Sequence, residues 1–228
     1  MRELRVVSYN VHRAIGRDRR HAPQRILDVL REIDGDIVAL QEVEARDSGA
    51  DMLDWLGREL GFQSIPGTTL IRHDGHFGNG ILTRFPAREV LHCDLSWRGR
   101  EPRAAIAADL EFEGRILRFV ATHLGLRPAE RRDQAQRLLK LFTDRPYERA
   151  ILMGDINEWL LWGRPLRRLH RYFERTAAPR TFPSHMPILS LDRVWTHPGS
   201  MLKRIEAHRS PLARIASDHL PLVATIQP

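Results

Sequence analysis

The stretch "PRAAIAADLEFEGRILRFVATHL", residues 102–124, holds two runs of strand-forming residues separated by Glu113 and Gly114. A polar residue followed by glycine suits a tight hairpin turn, whose two central residues take positive φ. The two runs therefore predict neighbouring antiparallel strands. Outward from this hairpin, residues 4–11, "DIVALQEV", "FGNGILTRFP", "REVLHCDL", "RAILMGDIN", "LDRVWTH", "LKRIEAH" and "LPLVATIQ" also read as strands. Pro23 opens a helical pattern through Ile26, Leu27, Leu30 and Ile33, residues 51–60 look helical, and Pro128 starts a helix carrying Leu138, Leu139, Leu141 and Phe142. A doubly wound parallel sheet would alternate strand and helix throughout. The hairpins argue instead for two mixed, mainly antiparallel sheets packed together with helices outside. No repeat or linker breaks the pattern, so a single domain over residues 1–228 is expected.

Composition bounds the function. With 228 residues, 42% of them hydrophobic, the chain can bury a substantial core. Its formal net charge of +7 comes almost wholly from arginine, since Lys140 and Lys203 are the only lysines. That bias suits an anionic partner, and equally suits solvated arginines spread over the surface. A lone cysteine, Cys93, excludes an intrachain disulfide and is expected in the core. There is no apolar run long enough to span a membrane and no leader pattern at the amino terminus, so a cytoplasmic protein is expected.

Most strands carry a polar residue at one end. Asn10, Glu42, His123, Asp155 with Asn157, Asp192, and Asp218 with His219 all fall at such positions. Each alone has an ordinary reading as a turn former, solvated acid, core imidazole or cap. Together they suggest one rim where several strands deposit an active site. Carboxylates and amide oxygens are hard donors suited to Mg²⁺ or Mn²⁺, and one cysteine cannot build a thiolate zinc site. Histidines beside carboxylates add groups that hold or move protons. The inventory points to metal-assisted hydrolysis at a phosphate.

The ordered series "SYNVH", "LQEV", "ATHLGL", "MGDIN", "LDRVW" and "SDHLPL" resembles the endonuclease/exonuclease/phosphatase superfamily over residues 8–222. The resemblance implies a four-layer α/β/β/α sandwich with a phosphoester-hydrolysing site at one end of the sheets. It further implies Glu42 as the main metal ligand, Asn10 beside it, and Asp218 as a second-metal or metal-shell carboxylate. Asp155 would orient or deprotonate the attacking water, Asn157 bind a phosphate oxygen, and His219, held by Asp192, contact the scissile phosphate. His123 would donate a proton or hydrogen bond to the phosphate or the leaving group.

The substrate is less determined than the reaction. The segment "EWLLWGRPLRRLHRYF" follows the Asp155/Asn157 pair; as a helix it would group Trp159, Trp162 and Leu166 apart from Arg164, Arg167, Arg168 and Arg171. Packing of those aromatics into the core is the ordinary expectation, and contact with anionic lipid is the alternative. Phe182, in "TFPS", either lines a pocket or belongs to a rigid connector. Asn79 and Arg103 are candidate phosphate contacts, although Arg103 could also be an exposed edge arginine. Arginines are dispersed rather than gathered into a nucleic-acid face, and "GDIN" is followed by Glu-Trp, unlike the inositol phosphatase branch. The lean is to a small-molecule or phospholipid-type phosphodiester, with a DNA or RNA nuclease as the alternative. A silent phospho-ligand binding protein is the reading of a different class, and the full set of polar residues argues against it.

Overall fold

The computed structural model describes residues 2–46, 51–72 and 75–228. In chain order its strands are β1 (Leu4–Asn10), β2 (Ile37–Arg46), β3 (Gln63–Arg72), β4 (Gly75–Thr83), β5 (Ala87–Asp94), β6 (Ala104–Phe112), β7 (Arg115–His123), β8 (Ala150–Asp155), β9 (Asp192–His197), β10 (Leu202–Ala207) and β11 (Leu222–Ile226). The helices are α1 (Pro23–Ile33), α2 (Met52–Leu60), α3 (Pro128–Thr143), α4 (Arg164–Leu169) and α5 (Ala213–Ala216). One sheet has the order β10-β11-β1-β2-β4-β3 and the other β5-β6-β7-β8-β9. The expected hairpin is present: β6 and β7 pair antiparallel through Glu113 (φ 48°) and Gly114 (φ 72°).

Strand alternation sorts the side chains into layers. Val6, Ile106, Phe119, Ile151 and Met153 meet in a core between the two sheets. Their neighbours Val7 and Val38 face outward onto α1, α2 and α5, while Val120, Leu152 and Trp195 face α3 and α4. The result is the four-layer α/β/β/α sandwich. Pro23 starts α1, and the apolar face of Ile26, Leu27, Leu30 and Ile33 is buried. Each such side chain contributes about 1.5–3 kcal/mol on burial.

Each sheet contains one parallel pair joined by a helix on its outer face: β1-α1-β2 in the first and β7-α3-β8 in the second. The carboxyl ends of β1, β7 and β8 carry Asn10, His123 and Asp155.

Three sequence expectations are corrected. Strand β3 is absent from the sequence reading because "QSIPGTTLIR" contains Pro66-Gly67, which looks like a turn. As the sheet's outermost strand, β3 accommodates a residue without an N–H group. Cys93 is half-buried on β5 rather than enclosed in the core, and burial raises its thiol pKa. Helix α4 begins only at Arg164, so the stretch through Trp159 and Trp162 is a loop and turn. Among the described residues no helix is long and apolar enough to cross a membrane.

Gly154 directly precedes Asp155 and needs its missing side chain. Its φ is 151°, and a Cβ there would fall 1.9 Å from the carbonyl oxygen of Thr122 on the paired strand. Gly154→Ala is expected to cost on the order of 3 kcal/mol of stability. Urea denaturation measures it, and an unchanged midpoint would contradict this account of the strand pairing.

Candidate active site

Register places the second sheet's polar residues in one row. His123 on β7 lies opposite Asp155 on β8, which lies opposite Asp192 on β9. Two residues back along β7 and β8, and two residues on along β9, the same face carries Ala121, Met153 and Val194 of the inter-sheet core. The inner surface therefore turns from apolar to polar at one end of these strands. Asn10 does the same on β1, following Leu4 and Val6.

Asn10 links the sheets. Its Nδ2 donates to Glu42 Oε1 at 3.1 Å and to Asp155 Oδ2 at 3.2 Å, while its Oδ1 accepts from the N–H of His12 at 3.1 Å. Glu42 reaches this point through a bulge. The pairing of β2 with β4 shifts register between Leu40 and Val43, and Glu42 has φ 57°. Leu40 and Val43 both pack under the helices, so the extra residue turns the Glu42 side chain toward Asn10 instead.

His219 is fixed by Asp192. Its Nδ1 lies 2.9 Å from Asp192 Oδ2, and that same oxygen accepts from the Thr181 hydroxyl at 2.5 Å. The other ring nitrogen, Nε2, lies 3.7 Å from Asp155 Oδ2. Burial opposes a charge on this imidazole, but Asp192 and Asp155 outweigh it and raise its pKa to about 10. Asp155 is itself buried, which raises its carboxyl to about 6 against the opposing pull of the His219 charge.

His123 behaves differently. Burial and the adjoining Arg103 guanidinium push its pKa well below the usual value, so the ring is neutral. Both ring nitrogens face donors, with Arg103 Nη1 3.0 Å from Nδ1 and the Asn157 amide nitrogen 3.1 Å from Nε2. His123 Nε2 also lies 3.5 Å from Asp155 Oδ2. Asn157 adopts φ 54°; its backbone N–H donates to Asp155 Oδ1 at 2.9 Å and its Nδ2 to the carbonyl of Leu124 at 2.9 Å.

The remaining candidates are less central. Arg103 is buried, which removes its reading as an exposed edge arginine. Asn79 is buried and donates to the carbonyl of Ala104, on the strand beyond Arg103. Phe182 packs its ring 4.9 Å from that of His219. Asp218 is half-buried, with Oδ1 accepting from Ser217 at 3.3 Å and lying 4.0 Å from His12 Nδ1. Thr181 and Ser217 escape the sequence reading as site residues. Ser217 donates to the carbonyl of Asn10 at 2.7 Å and ties the "SDH" turn to β1. Neither hydroxyl has a pattern that separates it from an ordinary loop residue.

Among the described residues two groupings could hold a cation. Asp155, Asp192 and His219 present ligand atoms within 4.8 Å of one another. In that trio the imidazole is protonated and already bonded to Asp192, so it offers no lone pair. The better donor set lies around Asn10, where an amide draws together two carboxylates from different sheets. Oxygen donors of this kind fit a hard divalent cation.

This sandwich, with its acids, amides and imidazoles at the ends of the inner strands, is of the phosphoesterase type. Residues 7–219 match the model of the Endonuclease/Exonuclease/phosphatase family, and the chain belongs to that family, whose members are phosphoester hydrolases that typically use divalent metals. It is 28% identical to the uncharacterized protein YbhP of Escherichia coli K12, with 98% of this chain and 96% of that protein covered. Among solved structures it resembles Danio rerio TDP2 complexed with a single-strand DNA product, with TM-score 0.72, 18% identity and 99% of each chain covered. It also resembles a mannosyl-6-phosphatase of Bacteroides thetaiotaomicron, with TM-score 0.73, 20% identity and coverage of 98% of this chain and 100% of that one. At such identities the two structures speak for the fold.

The Thr181 hydroxyl gives the first test of the site's support. Thr181→Val leaves Asp192 short of a buried charge-assisted hydrogen bond, which costs about 1.5–3 kcal/mol. Thr181→Ser should restore most of it in a denaturant melt. Equal losses in both variants would show that packing, not the hydroxyl, holds Asp192.

Proposed function

We propose that this protein is a divalent-metal-dependent phosphoester hydrolase acting on a small-molecule or phospholipid-type phosphodiester. The observation that carries the reading is the Asn10 amide between Glu42 and Asp155, beside the row of His123, Asp155 and Asp192. Glu42 would hold the metal, with Asn10 beside it and Asp218 at its margin. When bound, Mg²⁺ or Mn²⁺ supplies Lewis-acid stabilisation of charge on the phosphoryl oxygens.

The chain's own groups divide the remaining work. Asp155 accepts a proton from the attacking water; a buried carboxyl whose pKa is raised toward neutrality suits that task. The oxygen of that water bonds to phosphorus as the bond to the leaving oxygen breaks. His219, kept cationic by Asp192, places positive charge against the phosphate. Neutral His123 and the Asn157 amide would hydrogen-bond with phosphoryl oxygens or the leaving group. Arg103 backs the His123 ring rather than meeting the phosphate head-on. Phe182, against His219, forms an apolar wall for whatever group the phosphate carries.

A nuclease is the second reading, favoured by the likeness to the DNA-bound TDP2 structure. Hydrolysis of bis-p-nitrophenyl phosphate should require Mg²⁺ or Mn²⁺ and stop with EDTA. Asp155→Ala and His219→Ala should each lower kcat by about 10²–10⁴ while the protein stays folded by circular dichroism. Metal-independent turnover, or wild-type rates in both variants, would overturn the assignment. Parallel assays on plasmid DNA, RNA, phospholipids and inositol phosphates separate the substrate classes.

A further inference from the structure

Beside the site the usual placement of charge and apolar surface is inverted. Arg131 and Glu158 are buried, with Arg131 Nη2 3.2 Å from Glu158 Oε2 and Nη1 2.6 Å from the carbonyl of Leu126. Directly after this internal pair, Trp159, Leu160, Leu161 and Trp162 project outward with relative exposures of 48%, 45%, 59% and 69%. Leu126, on the loop after β7, is 61% exposed. The Arg131 guanidinium touches both loops, because it also lies 5.0 Å from the Trp159 ring centroid. A turn holds the projecting segment in shape: Glu158 Oε1 accepts from Leu160 N, and Leu160 O accepts from Gly163 N. The core packing expected for Trp159 and Trp162 is therefore not what the structure has.

The chain continues straight from this apolar tip into a basic cleft of about 440 Å³ lined by Arg132, Arg164, Arg167, Arg168 and Arg171. Among the described residues none of these five forms an ion pair with a carboxylate. Neighbouring acids are engaged elsewhere, Glu158 by Arg131 and Asp133 by Arg137. Arg168 donates to Gln136 Oε1 and to the carbonyl of Arg132. Unneutralised guanidinium groups beside exposed tryptophan and leucine match an interface with anionic headgroups above and acyl chain below. Nucleic acid would complement the arginines and could stack on the tryptophans, but it offers nothing to Leu160, Leu161 and Leu126.

We propose that the tip of Trp159 to Trp162, with Leu126 and the five-arginine cleft, is a docking surface for an anionic lipid bilayer. The tip enters the headgroup boundary and the arginines meet lipid phosphates. Since the tip starts two residues after Asn157, docking brings the rim of the site against the membrane. This surface does not depend on the hydrolase reading, and it is tested without turnover.

The test is sedimentation of the full chain with vesicles of phosphatidylcholine alone, or of equal parts phosphatidylcholine and phosphatidylglycerol. Binding is expected only to the second kind and should weaken with salt. Leu161→Ser/Trp162→Ser and Arg167→Glu/Arg171→Glu should each reduce the bound fraction about tenfold or more. Both variants should keep wild-type turnover of soluble bis-p-nitrophenyl phosphate if the wild type has any. No binding to anionic vesicles overturns the docking surface while leaving the hydrolase reading intact; binding without turnover does the reverse. Two further results would also overturn it: loss of labelled-DNA binding in these variants without vesicle binding in the wild type, or a dimer by light scattering that Leu161→Ser/Trp162→Ser dissolves.

Discussion

A neutral amide between two acids is the contact on which the site's geometry depends. Asn10 belongs to one sheet, Asp155 to the other, and Glu42 to a bulge beside Asn10. Carboxylates brought this close repel each other unless donors or a cation stand between them. The amide supplies two N–H groups directed at both, and its own oxygen is held by the His12 backbone. The sheets are thus joined by the Asn10–Asp155 hydrogen bond at the site, by the Asn79 and Gln63 side chains at other points, and by apolar packing between them. Without the core the amide would not face Asp155, and without the amide the two acids would not share one place.

A second chain of support runs outward from His219 through Asp192 to Thr181, a loop residue with no chemistry of its own. Asp155 and Asp192 flank the same imidazole and together keep it charged despite burial. On the other side of Asp155, burial together with the Arg103 guanidinium keeps His123 neutral. Two histidines within reach of one carboxylate therefore hold different protonation states, set by whether an acid or a guanidinium backs them.

Much of this was legible in the sequence because strand ends are visible in an apolar run. Asn10, His123 and Asp155 stand where such runs stop, Asp192 where one starts, and the Glu113-Gly114 turn fixed the antiparallel neighbours. The misses have physical causes. Pro66 and Gly67 hid an edge strand, where proline costs little. The helical grouping of Trp159 with Trp162 assumed that apolar residues face inward, whereas the buried Arg131–Glu158 pair takes the interior place and leaves the aromatics outside. Arg103 was open to two readings, a phosphate contact or an exposed edge arginine, because nothing local announces that His123, twenty positions away, will lie against it.

The position of the last strand bears on when the site comes into being. β11 inserts between β10 and β1, and the turn just before it carries Ser217, Asp218 and His219. The first sheet cannot close until residues 222–226 have been made, although Asn10 and Glu42 leave the ribosome long before. Assembly of the full constellation thus waits on residues that follow Asn10 by some two hundred positions. A chain made only as far as β9 carries Asn10, Glu42, Asp155 and Asp192 without the His219 imidazole that Asp192 holds.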